Sequence, residues 1–281
     1  MRFAAVLAAA CLLAGCAQAL LNAVTPRDDF TAARGIAFEP GPRGALDVYM
    51  PADGAASHPV VVFFYGGYWD SGDREAYLFV GEAFASRGIV AIIPDYRIYP
   101  EVTFPAFVED GAAAVAWASR NVARYGGDPS RIFVAGHSAG AHIAAMVALD
   151  SRYLSHQGVP SGTVKGLIGL AGPYDFLIDT QKLQRIFPEA TWRDSQPVNF
   201  VTGSAPPALL LAGSDDTTVN PDNTRSLARH LRAAGVPVTE HIYEGYGHVK
   251  LVAVLGAPLR SHSSVLDEVS RFVRGAPSPG G

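Results

Sequence analysis

The chain has 281 residues, 49% of them hydrophobic and 17% charged, with a net charge of −4. That composition supplies a buried core and excludes a disordered chain. The slight acidity, with no run of Lys or Arg, excludes an electrostatic footprint for nucleic acid, and two cysteines, Cys11 and Cys16, exclude a disulfide scaffold.

The N-terminus reads as an export address. Met1-Arg2 gives a positive start, and the uncharged run Phe3 to Ala14 is shorter than the about 20 residues that span a bilayer, as in a cleaved signal. Leu13-Ala14-Gly15-Cys16 resembles a bacterial lipobox. The resemblance implies that residues 1–15 leave as a lipoprotein signal peptide and that Cys16 carries the lipid anchor. Ala17 in place of Asp then points to the outer membrane of the cell envelope. An ordinary signal peptide cut near Ala17 or Ala19, giving a secreted or periplasmic protein, is the alternative. Residues 16–34 are expected to be a tether, 35–274 a single domain, and 275–281 a flexible Pro/Gly tail.

From residue 35 the patterns alternate. Strands are expected at 35–39, 46–50, 60–64, 89–93, 131–135, 164–170, 208–211 and 238–243, because apolar β-branched and aromatic residues cluster there between turn signals. Several of these runs are apolar on both faces, as strands of a parallel sheet covered on both sides are. Helical patterns lie at 74–87, 104–124, 140–150, 221–234 and 260–273. The alternation predicts an α/β fold, a mostly parallel doubly wound sheet of about eight strands with helices on both faces. Residues 172–204 fall between two strands as a short lid insertion. Ligands in such sheets bind at the carboxyl ends of the strands, so the chemistry is sought in the loops there.

The strand ending at Ala135 runs into Gly136-His137-Ser138-Ala139-Gly140 and then a helical pattern. G-x-S-x-G between strand and helix is a nucleophile elbow. Larger residues at the two glycines would strike the neighbouring strand and helix, and the turn presents the serine oxygen at a helix N-terminus. A serine hydroxyl needs a base, and the base needs an orienting group. His248, in the Gly-containing loop after the last strand, is free to reach Ser138; His241, inside that strand, is the reserve. Asp215 and Asp216 both follow the preceding strand. The one that does not orient the base is expected to cap the helix near Pro221 or to close an Asx turn. Tyr65-Gly66-Gly67-Tyr68-Trp69 follows the third strand and offers backbone N–H donors to a developing oxyanion.

Together with Gly72-Asp73, Asp95-Tyr96-Arg97, Tyr125-Gly126-Gly127-Asp128-Pro129 and Gly136 to His142, these motifs resemble the α/β-hydrolase superfamily. The closer resemblance is to its carboxylesterase branch, with hormone-sensitive-lipase-like and feruloyl-esterase-like enzymes and arylformamidases. It covers residues 35–274. The family's G-x-x-D-x-x-V spacing selects Asp216 as the acid, and its oxyanion loop implies donors at Gly67, Tyr68 and Ala139. The implied activity is that of a cofactor-free, metal-free serine hydrolase cleaving a small-molecule carboxylic ester, short-chain or aryl, through Ser138, His248 and Asp216 and an acyl-enzyme. An arylformamidase-type amide hydrolase shares this machinery. A catalytically inactive envelope lipoprotein would show a broken triad. The branch usually carries His where Tyr65 stands; the Tyr65 hydroxyl is expected to support the oxyanion loop in its place. Asp95 and Arg97 are expected to tie neighbouring loops, and His142 to be a packed residue.

Overall fold

The computed structural model describes residues 18–275. The expected signal peptide, Cys16 and residues 276–281 of the expected tail lie outside the described residues. Within them, eight strands form one sheet: β1 (Phe30–Ala37), β2 (Ala45–Pro51), β3 (His58–Phe64), β4 (Val90–Pro94), β5 (Gly127–His137), β6 (Val164–Leu170), β7 (Ala208–Gly213) and β8 (Val238–Tyr243). The spatial order is β1-β2-β4-β3-β5-β6-β7-β8. β2 pairs antiparallel with β1 and β4, and every other pair is parallel. Helices cover both faces, as the α/β-hydrolase expectation required.

Burial follows the apolar runs. β4 and β7 are buried end to end, and β3 nearly so. The edge strands β1 and β8 are mostly half-buried or exposed, which keeps two open hydrogen-bonding edges polar.

The main helices are α1 (Leu78–Ala85), α2 (Ala106–Asn121), α3 (Ala139–Leu149), α4 (Ser151–His156), α5 (Gln181–Ile186), α6 (Asp222–Ala233), α7 (His248–Ala253) and α8 (Val265–Arg274). Three expected helices are shorter than their patterns because one end tightens into a 3₁₀ turn: Arg74–Tyr77 before α1, Val122–Tyr125 after α2 and Arg260–His262 before α8. α4, α5 and α7 have six residues each, too few to display a 3.6-residue period.

The expected tether differs from the structure. Residues 18–23 are helical and docked, and β1 begins at Phe30 rather than at residue 35. Leu21 and Thr25 are buried. Gln18 Nε2 donates to the Tyr77 hydroxyl at 2.9 Å, and Asn22 Oδ1 accepts from the Phe79 N–H at 3.1 Å. These polar side chains bond to groups far along the chain, so hydropathy alone did not reveal the docking.

Two glycines let the elbow pack. A Cβ on Gly140 would lie 2.0 Å from the Phe64 carbonyl oxygen on β3, and one on Gly136 would lie 2.2 Å from the Gly140 carbonyl oxygen. α3 therefore starts in contact with the neighbouring strand. Gly140→Ala is expected to destabilise by about 1–3 kcal/mol, the usual cost of overpacking, read as a lower urea midpoint with an unchanged slope.

Candidate active site

Ser138 sits between β5 and α3 at φ 56°, ψ −124°. A non-glycine residue with positive φ is held there by its surroundings, at a cost on the order of 1–3 kcal/mol. The Ser138 N–H donates to the Leu170 carbonyl at 2.9 Å, which continues the β5–β6 ladder past the strand end. The turn leaves the serine oxygen half-exposed at the N-terminus of the eleven-residue α3.

His248 Nε2 lies 2.8 Å from Ser138 Oγ, and its Nδ1 lies 2.7 Å from Asp216 Oδ2. A carboxylate only accepts, so the Nδ1–H donates to Asp216 and the bare Nε2 accepts from the serine hydroxyl. Asp216 Oδ1 accepts from the N–H groups of Thr218 and Val219, each at 2.9 Å. Burial pushes the Asp216 pKa up. The hydrogen bond and charge of His248, with the two backbone donors, outweigh burial and hold the carboxyl below its ordinary range.

The loops after β7 and β8 are stitched to one another. Ser214 N–H donates to Tyr243 O at 2.9 Å, Asp215 N–H to Tyr246 O at 3.0 Å, and Gly245 N–H to Ser214 Oγ at 2.8 Å. A Cβ on Gly213 would fall 1.9 Å from Tyr246 O. This stitching faces Asp216 inward and leaves Asp215 exposed. Asp215 does not cap α6; Pro221 stands at its N-cap, and the Asn220 side chain just before it accepts from the Asp222 N–H at 2.9 Å. His248 is the first residue of α7 rather than part of an irregular loop. The reserve base, His241, is turned to Glu268 at 3.0 Å and stacks on Tyr243.

The loop after β3 approaches the same point. A Cβ on Gly66 would lie 3.1 Å from Ser138 Cβ. Gly67, Tyr68 and Trp69 have φ of 145°, 54° and 57°. Tyr68, Trp69, Ser138 and Ala139 line one cavity of about 600 Å³. The N–H groups of Gly67, Tyr68 and Ala139 donate to no acceptor among the described residues. Gly67 does not line the cavity; its carbonyl closes the turn by accepting from the Asp70 and Ser71 N–H groups at 3.0 Å.

Tyr65 serves the loop differently from the expectation. Its hydroxyl reaches past the loop and donates to Asp95 Oδ1 at 2.8 Å. Burial, then Tyr96 and Asp95, pushes its pKa well above the ordinary phenol value, so it remains a donor. The loop itself is held by the Tyr96 hydroxyl, which donates to Tyr65 O at 2.8 Å, and by Arg43 Nη1, which donates to Gly72 O at 3.1 Å. Asp95 also pairs with Arg74, which reaches Asp47 at 2.9 Å. Arg97 pairs with Asp110 of α2 at 2.7 Å. Asp95 and Arg97 thus tie neighbouring segments together.

The insertion at 172–204 divides its apolar residues. Phe176 and Leu177 line the cavity, whereas Ile178 and Phe187 are buried in the core and Trp192 donates to Phe187 O at 2.9 Å. Another wall of the cavity comes from α6 and the loop before it, through Val219, Asn220, Asn223, Ser226 and Arg229. Nothing in the helical pattern of 221–234 distinguished that face.

Two further histidines are buried. His142 Nε2–H donates to Ser195 O at 2.8 Å, and its ring packs among Trp69, Phe176 and Phe187. His137 occupies the first variable position of the elbow. Its Nε2–H donates to the carbonyl of His248 at 3.1 Å, and its ring packs 4.7 Å from the His248 ring. Burial lowers the pKa of His142 to about 4; burial and then the charge of His248 lower that of His137 to about 3. Among the described residues, no group of three or more His, Cys, Asp or Glu side chains could hold a metal ion.

Residues 46–231 match the family model described as BD-FAE. The chain belongs to the BD-FAE family. This BD-FAE chain is 31% identical over 251 residues to an isoprenylcysteine alpha-carbonyl methylesterase of Arabidopsis thaliana, covering 81% of this chain and 58% of that protein. It is 33% identical over 227 residues to the esterase LipC of Mycobacterium tuberculosis, covering 71% and 55%. It thus spans little more than half the length of these relatives. Among solved structures, esterase B of Lactobacillus rhamnosis with a tributyrin phosphonate inhibitor superposes at a TM-score of 0.82 and 22% identity, over 97% of this chain and 94% of that one. An esterase of Pyrobaculum calidifontis gives 0.75 at 24%, over 94% and 91%. At such identities the likeness shows the α/β-hydrolase fold alone.

The buried histidines set an acid limit. Below the ordinary value of 6.5 the unfolded chain protonates both, while the folded chain keeps them neutral until the pH nears their lowered values. The unfolded state then binds more protons, so stability falls as the pH drops from about 6.5 toward 4, by up to about 1.4 kcal/mol per pH unit for each histidine. Urea melts across that range are expected to show this slope, and His142→Asn to reduce it.

Proposed function

We propose that this BD-FAE protein is a serine hydrolase of small-molecule carboxylic esters with a short acyl or an aryl group. The observation that carries the reading is the unbroken relay Ser138–His248–Asp216, with 2.8 and 2.7 Å links at the edge of the cavity. Ser138 Oγ attacks the acyl carbon while its proton passes to His248 Nε2. Asp216 holds the imidazole in the Nδ1–H tautomer and stabilises the imidazolium that forms. The oxyanion is met by the N–H groups of Tyr68 and Ala139, which line the cavity, each such donor contributing about 3 kcal/mol in the transition state. His248 then protonates the departing alcohol, and the same histidine activates the water that opens the acyl-enzyme. A cavity of about 600 Å³ walled by Tyr68, Trp69 and Phe176 lies within the size range of small-ligand sites. The esterase names of the relatives support the same reaction class.

We further propose that residues 1–15 are a lipoprotein signal peptide and that lipid on Cys16 anchors the protein to the cell envelope, at the outer membrane. The support is the sequence Leu13-Ala14-Gly15-Cys16 after an apolar run too short to span. Radiolabelled palmitate is expected to enter the wild-type protein expressed in a bacterium and not Cys16→Ala; equal labelling of the two would refute the anchor.

A fluorophosphonate probe is expected to label the wild type and not Ser138→Ala, and that substitution should lower kcat on p-nitrophenyl acetate by about 10⁵–10⁶-fold. Wild-type turnover by Ser138→Ala would refute the assignment, and formyl-arylamides turned over faster than esters would move the reaction to the amide class.

A further inference from the structure

The loop that carries the Tyr68 N–H is strained. Tyr68 and Trp69 both bear side chains and both lie at positive φ, near 55°, a region that non-glycine residues visit rarely. Such a pair persists only where the surroundings over-determine it. Trp69 is locked by aromatic rings: Phe187 at 4.8 Å and His142 at 5.2 Å meet it edge to face, and Phe176 stacks on it at 5.9 Å. Tyr68 has no such box. Its ring is half-buried and meets Trp69 edge-on at 6.0 Å.

What faces Tyr68 instead is a cation. Lys182 Nζ lies 4.5 Å from the centre of the Tyr68 ring, within cation–π range. The same ammonium pairs with the carboxylate of Asp70. Tyr68 and Asp70 flank Trp69, so one positive charge grips both sides of the strained turn. Lys182 belongs to α5 in the insertion, and α5 is itself anchored: Leu183 and Ile186 are buried, and the Phe104 N–H donates to Ile186 O at 2.9 Å. An isolated surface ion pair contributes little, largely because ordering two long side chains offsets the attraction. Here one ordered lysine makes two contacts from a fixed helix.

We propose that Lys182 is a positioning residue for the hydrolytic reaction: its ammonium, held between the Tyr68 ring and the Asp70 carboxylate, keeps the Tyr68 N–H aimed at the oxyanion that forms on attack by Ser138. The proposal rests on the reading of Ser138 as nucleophile and of Tyr68 as oxyanion donor. It gives the insertion a second task beside lining the cavity, since the segment that walls the substrate site also sets the donor geometry. Lys182 touches no reacting atom; it acts through Tyr68.

The test is steady-state hydrolysis of p-nitrophenyl acetate by the full chain as wild type, Lys182→Met and Lys182→Arg, at low salt and at 1 M NaCl, with melting temperatures. Lys182→Met keeps the aliphatic stem and removes the charge. It is expected to lower kcat about 3–10-fold with KM and melting temperature unchanged, and Lys182→Arg to retain most of the activity. High salt shortens the screening length to about 3 Å, so wild-type kcat is expected to fall toward that of Lys182→Met, which should itself respond little. Wild-type kcat in Lys182→Met, or a kcat loss matched by a lower melting temperature, overturns the proposal. A wild type that neither turns over the ester nor takes the fluorophosphonate probe defeats the underlying serine-hydrolase reading, and this proposal with it; an active wild type with an unmoved Lys182→Met defeats this proposal alone.

Discussion

The bond between the Ser138 hydroxyl and His248 Nε2 joins residues 110 positions apart, and it exists only because parallel strands end in register. His137, Leu170, Leu211 and His241 stand opposite one another across β5, β6, β7 and β8. Beyond those pairs the ladder continues through the Ser138 N–H to Leu170 O, the Ala171 N–H to Leu211 O and the Ser214 N–H to Tyr243 O. Each loop therefore leaves the sheet at a height set by backbone hydrogen bonds. The 2.7–2.8 Å spacings of the side chains inherit that precision, as a site built on rigid elements does.

The oxyanion loop is supported by different physics. It carries three consecutive positive φ angles and rests on a buried ionic layer in which Asp95 takes the Tyr65 hydroxyl and Arg74, and Arg74 reaches Asp47. Buried ion pairs add little net stability because desolvation offsets attraction. What they do supply is direction: each carboxylate accepts only from donors in defined positions, so Tyr65 and the turn above it have few alternatives. Tyr65 fits this layer because its ring carries the hydroxyl to 2.8 Å from Asp95 Oδ1.

Steric codes made much of the fold legible. The strand runs at 60–64, 89–93 and 208–211 read as buried parallel strands because both faces were apolar, and the two elbow glycines had a packing reason that Phe64 and Gly140 supply. The docked segment 18–34 and the helices α4, α5 and α7 were not legible. Their positions depend on single polar contacts, such as Gln18 with Tyr77, or on burial against segments far along the chain, and neither leaves a periodic trace in six residues. His137 and Lys182 were hidden for a related reason. One occupies a position that tolerates many residues in any elbow; the other is an exposed lysine until α5 brings it over Tyr68.

The amino-acid sequence by itself determined the order and type of the strands, the strained serine turn and the pool of acids and bases at the correct sheet edge, because those are consequences of local sterics and of apolar periodicity. Tertiary structure decided which members of the pool meet. Asp216 faces His248 and Asp215 faces water because Tyr246 O captures the Asp215 N–H, and the insertion sends Phe176 to the cavity and Phe187 to the core. Neighbours that differ by one position in sequence are separated only by contacts with segments tens of residues away, and those contacts exist only once the chain has folded.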